Sequence, residues 1–152
     1  MDIDIEVKGL IELQRKTEAM VADLHGAPIL NAMRDSVLQI DRDAKKNAPV
    51  SDGILRASIL PGVRMSGSEV EGVVGTDLNY APYMEFGTRP HWPPIAALER
   101  WAYKHHTSAF LVARAIARHG TKPRRFMQQA FETNEDNIIR RFERALEEVV
   151  NG

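Results

Sequence analysis

The stretch Tyr80-Ala-Pro-Tyr-Met-Glu-Phe-Gly-Thr-Arg-Pro90 leaves the backbone little choice. Pro82 fits the first turn of a helix, where its missing N–H is not needed. Gly87 can take a left-handed cap, and Pro90 stops any continuation. The pattern predicts a short helix over 81–86 that ends in a sharp turn. Tyr80, Tyr83 and Phe86 recur on it every three residues, and Met84 adds to the same surface. Glu85 is the one charge inside it. Two readings of this aromatic face stand side by side: a plug for the core, or an anchor at an interface.

The flanking chain supplies a mixed set of elements. Ile3, Ile5 and Val7 alternate with Asp2, Asp4 and Glu6, the period of a half-buried strand. Leu10, Leu13, Thr17, Met20, Val21 and Leu24 share a helical face, which Gly26 closes. Pro28 opens a long helix striped by Leu30, Met33, Val37, Ile40 and Ala44, and Lys45-Lys46 suit its negative end. Leu55 to Leu60 reads as a strand entry broken at Pro61-Gly62. Val63–Met65 and Glu69–Gly75 then form a hairpin. Two strands alone are marginal in water, so a strand from 3–7 or from a neighbouring subunit is expected to complete the sheet. Ile95, Leu98, Trp101 and Ala102 stripe one helix. Phe110 to His119 is a second, with Leu111, Ala115 and Ile116 inside. A last helical region covers Arg124 to Val150, with Asn134 as a boundary or N-cap between two apolar faces. Its Phe126 and Phe142 are expected to pack onto the sheet. The fold class is α+β. A small antiparallel sheet packs against a long N-terminal helix and a long C-terminal helix. Residues 1–152 form a single domain, with a helical pair inserted at about 90–122.

Composition narrows the chemistry. The 20 Lys and Arg against 21 Asp and Glu give a net charge of −1, unlike a dedicated nucleic-acid binder. With no cysteine there is no disulfide framework and no thiolate metal site. Met1-Asp-Ile-Asp-Ile-Glu6 is acidic where a signal peptide is basic. No run approaches the about 18 apolar residues of a membrane span. The expectation is a protein made in the cytoplasm, with no membrane partner. Adjacent His105 and His106 point about 100° apart on a helix, which does not suit one shared ion. Asp41 and Asp43 lie two apart on a helix and do not face each other. No nucleophile elbow, phosphate loop or zinc-protease motif is present. The reading is therefore no enzyme, no catalytic residue, no cofactor and no metal. Lys122, Arg124 and Arg125 could grip a phosphate or DNA, since arginine forks match phosphate oxygens. The competing reading pairs them with Glu147-Glu148 of another subunit.

Three stretches together resemble a known family: Ala48-Pro-Val-Ser-Asp-Gly-Ile-Leu-Arg-Ala-Ser-Ile59, Val74-Gly-Thr-Asp-Leu-Asn-Tyr-Ala-Pro-Tyr-Met-Glu-Phe-Gly-Thr88 and Lys122-Pro-Arg-Arg-Phe-Met-Gln-Gln-Ala130. They are similar to the neck or tail-completion proteins of long-tailed, non-contractile bacteriophages and their prophages. The middle stretch is the specific one. Ser51-Asp52-Gly53 stands where Asp-Thr-Gly is usual, and Gln128-Gln129 replace a common Arg-Pro. The helical pair between Arg89 and Lys122 is absent from many relatives.

The resemblance implies a structural virion protein at the head–tail joint, forming a homo-oligomeric ring, a hexamer or a dodecamer. Its partners would be the connector or stopper and the tail-tube proteins, with transient passage of DNA. A tail terminator ring is the alternative, and a DNA-contacting adaptor a further one. Interface cores favour Tyr, Trp, Phe and Met. The expected interface residues are accordingly Tyr80, Tyr83, Met84, Phe86, Trp92 and Trp101, with Arg89 at the rim.

Overall fold

The computed structural model describes residues 26–50, 53–66 and 69–151. The element order is α1 (Ala27–Asn47), α2 (Ile54–Ser58), β1 (Leu60–Ser66), β2 (Glu69–Gly75), α3 (Ala81–Phe86), α4 (Ile95–Lys104), α5 (Ala109–His119) and α6 (Phe126–Asn151). The fold is α+β, with a two-stranded antiparallel sheet between long N- and C-terminal helices. The strand expected at 3–7 and the helix expected at 10–24 lie outside the described residues.

Two compact units are present. One is drawn from Met1–Gln39, Pro61–Val74 and Asn134–Gly152, the other from Ile40–Leu60 and Gly75–Thr133. In the first, α1 lies close on the hairpin. A methyl group at Gly72 of β2 would strike the side chains of Met33 and Val37, so the bare backbone is what lets the helix approach. Arg141 of α6 donates to the Ser36 hydroxyl at 3.0 Å. That hydroxyl donates in turn to the Ala32 carbonyl at 2.6 Å. Ala32, Val37 and Ala145 are buried around this tie.

In the second unit the core is small and specific. Ala44, Ile59, Ala113 and Ala130 are fully enclosed, and Phe126 is the largest fully buried side chain among the described residues. The Ser58 and Thr76 hydroxyls bond at 2.6 Å, joining the end of α2 to the chain leaving β2. Helices α4 and α5 pack on each other, and each carries one buried residue, Ala102 and Ala113. Asp41 pairs with Lys45 at 2.9 Å, one helical turn on.

Four expectations are corrected. Leu55 to Ser58 is helix, not a strand entry. Gly53, at φ 75°, redirects the chain, and the Ala57 N–H closes on the Gly53 carbonyl at 2.9 Å. Leu, Arg and Ala all favour that outcome. Strand β1 runs through Pro61-Gly62 without a break. Proline is tolerated near a strand start, and among the described residues only β2 pairs with β1. No helix break or N-cap falls at Asn134, which is buried within continuous α6, although the two compact units divide there. In α5, Leu111 and Ala115 face outward and Ala113 takes the interior. Apolar residues surround that helix, so periodicity alone does not single out the face that meets α4.

Candidate functional site

Helix α3 forms where the sequence places it, Ala81–Phe86, with Pro82 in its first turn. Its inward side is Ala81 and Glu85, both buried. The rings point the other way. Tyr80 is 44% exposed, Tyr83 60% and Phe86 74%, which removes the core-plug reading. Met84 is half-buried and Arg89 is exposed.

The buried carboxylate ties the turn to the start of α6. Glu85 accepts from the backbone N–H of Met127 at 3.0 Å and of Gln128 at 2.9 Å. These are free donors in the first turn of α6. A local cap would be Ser, Thr, Asp or Asn. Here Arg125 stands before Phe126 and offers no acceptor. Its φ of 51° is unusual for a residue with a side chain. Glu85 is therefore the cap of α6, supplied from a distant part of the chain. The Met84 and Glu85 carbonyls also accept from the N–H groups of Arg124, at 2.8 Å, and Arg125, at 3.1 Å.

A second tie adjoins it. Thr88 and Thr121 form an antiparallel bridge, N–H to carbonyl at 3.1 and 3.2 Å, and their hydroxyls bond at 3.1 Å. Each follows a glycine. Gly87 has φ 72° and ψ −175°, and Gly120 has φ 68° and ψ −160°. This region is essentially closed to other residues. It is not the left-handed cap expected for Gly87. An added methyl would also strike the opposite backbone: Thr121 for Gly87, Thr88 for Gly120. The helical pair thus leaves and returns through one paired pair of Gly-Thr steps.

An open groove of about 1120 Å³ lies beside this clamp, within the same unit. Tyr83, Met84, Leu98, Trp101, Val112 and Ile116 give it an apolar floor. Arg89, Lys122 and Arg124 line it as well, and among the described residues no carboxylate does. The expected interface residues Tyr83, Met84, Arg89 and Trp101 are thus brought together. Trp92 instead meets Phe110 edge-on, ring centres 5.9 Å apart, and both stay about half exposed. Tyr80 and Phe86 lie outside the groove lining. Lys122, Arg124 and Arg125 are exposed beside the start of α6, but two of that helix's N–H donors are already taken by Glu85. A phosphate there could not use those two donors. Phe126 is buried in this unit, and Phe142 is half-buried. Among the described residues no cluster of His, Asp or Glu is arranged to hold a metal ion, and no helix is long and apolar enough to cross a membrane.

Sequence reasoning missed the role of Glu85. Two signals point to it: a lone charge in an aromatic turn, and a long helix that begins Pro123-Arg-Arg-Phe with no capping side chain.

The family described as "Bacteriophage HK97-gp10, putative tail-component" matches residues 12–87, half of the chain. The match ends at Gly87, the first of the two special glycines, just before the inserted pair. No curated protein and no solved structure matches the chain. The chain belongs to the HK97-gp10-like family of bacteriophage tail components.

Proposed function

We propose that this tail component works at the head–tail joint, as a neck or tail-completion protein whose copies form a ring between the head connector and the tail tube. One observation carries the reading: in a member of a phage tail family, the tyrosine turn is fixed from beneath by Glu85 and presents its rings outward. Rings held rigidly at a surface lose little freedom on docking, and such aromatic anchors dominate binding energy at interfaces. Identical subunits surround a channel when one patch meets a different patch on the next copy and the rotation closes. The protein's place is then the virion, and its task is binding, with no bond made or broken.

Purified protein is mixed with the connector or tail-tube protein of the same phage, and the products are weighed by sedimentation and viewed by electron microscopy. Rings, alone or on either partner, are the expected result. A monomer that joins neither partner removes the proposal. A ring that caps isolated tubes but ignores connectors would assign it as a tail terminator.

A further inference from the structure

We infer that the groove beside α3 receives the C-terminal part of helix α6 from a second copy of this chain. The inference rests on the ring reading and specifies its contact.

The groove exceeds the roughly 300–1,000 Å³ of ordinary small-molecule sites, which favours a macromolecular occupant. Its floor is apolar, and among the described residues its charged lining is Arg89, Lys122 and Arg124. The fitting occupant is therefore amphipathic and acidic. Helix α6 displays such a surface. Ile139 is 50% exposed, Leu146 42% and Val150 61%. At about 3.6 residues per turn these three fall on one stripe about 17 Å long. Glu135, Asp136, Glu143 and Glu147 project within the same face, all exposed. The nearest cations on the helix, Arg140 and Arg144, turn away from it. Arg144 folds back onto the Arg140 carbonyl, and Arg140 bonds the Asn137 side chain.

An aliphatic stripe bordered by carboxylates matches an apolar trough bordered by cations, in the manner of a helix laid in a groove. Opposite potentials also fix orientation and hasten encounter. Groove and stripe are different patches, so the contact is head-to-tail. Every copy keeps one of each unsatisfied until a ring closes.

The absence of cysteine makes trapping clean. A full-length chain carrying both Tyr83→Cys and Leu146→Cys is oxidised and run without reductant. The expected result is a ladder of dimers, trimers and higher species ending at the ring number. Each single variant gives no ladder. Glu143→Lys with Glu147→Lys should cut the ladder roughly tenfold or more. Adding Lys122→Glu and Arg124→Glu to that chain should restore it. Dimers alone, or a ladder indifferent to these reversals, overturn the inference. If rings are seen by microscopy yet no ladder forms, this contact is wrong and the ring stands. If no ring forms with any tail partner, the ring itself is wrong.

Discussion

The clamp that joins α3 to α6 is made of directional contacts, whereas the α4–α5 pair inserted between them is packed helix on helix with just one buried residue in each, Ala102 and Ala113. In the clamp a carboxylate meets two N–H groups, two threonines pair, and two glycines adopt a backbone no other residue accepts. In the insert the aromatic side chains and Leu111 face out: Trp92, Trp101, Tyr103, Phe110 and Leu111 are all at least 42% exposed, while Ile95, Leu98, Val112 and Ile116 are half-buried. Directional contacts fix one geometry and fail abruptly. Small-residue packing holds two helices together and leaves their aromatic surface free for other molecules. The conclusion is that the clamp is the scaffold and the insert a displayed surface.

The strongest attempt to break this contrast is Gly120→Ala. The new methyl is strained at φ 68° and collides with the Thr88 backbone. Strain and overpacking together should cost about 3 kcal/mol or more. The urea midpoint should fall at unchanged slope. A loss below about 1 kcal/mol would mean that the crossing is soft and the scaffold lies elsewhere.

Next in size is Glu85→Ala, which strips the α6 cap and should cost about 2 kcal/mol. Glu85→Gln keeps one acceptor and should lose about half of that. Hydrogen exchange supplies the specific readout. The amides of Met127 and Gln128 should lose protection before the rest of α6. Equal protection in both variants would show that the carboxylate is not what holds the helix start. A smaller effect, about 1–2 kcal/mol, is expected for Ala113→Leu, at the fully enclosed position of α5. Its exchange signature should stay within 95–119, leaving Met127 and Gln128 protected. Loosening of both regions together would erase the distinction between scaffold and insert.

The same contrast explains what could be read in advance. The ends of α3 were legible because proline and glycine act on their own backbone, and Ala81–Phe86 follows from them directly. The long helices were legible because α1 carries an apolar stripe and α6 two apolar faces. Glu85 was not, because its partners lie 42 and 43 residues further on and no local pattern reports them. The ψ of Gly87 was hidden for the same reason: it is set by Thr121 across the bridge. The exposure of Leu111 was obscured because large apolar residues crowd several faces of its helix, and only the neighbouring element decides which face is covered. Of the candidate site, the residue types were legible, but which of them share one groove was not.

The smallest effect tests the displayed surface itself. Phe86 is 74% exposed although it belongs to the tightly held turn, and Tyr103 is 85% exposed on the insert. A ring that touches mostly water contributes little to folding. Phe86→Ser and Tyr103→Ser should each change stability by no more than about 0.5 kcal/mol. Their natural counterpart is Phe126, which is 1% exposed and whose truncation should cost about 3–5 kcal/mol. If the ring at 86 is an anchor, assembly with tail partners should weaken in Phe86→Ser at undiminished stability. A loss of 2 kcal/mol or more in that variant would instead make the ring part of the monomer's core, and the division between a buried carboxylate that builds the turn and outward rings that use it would no longer hold.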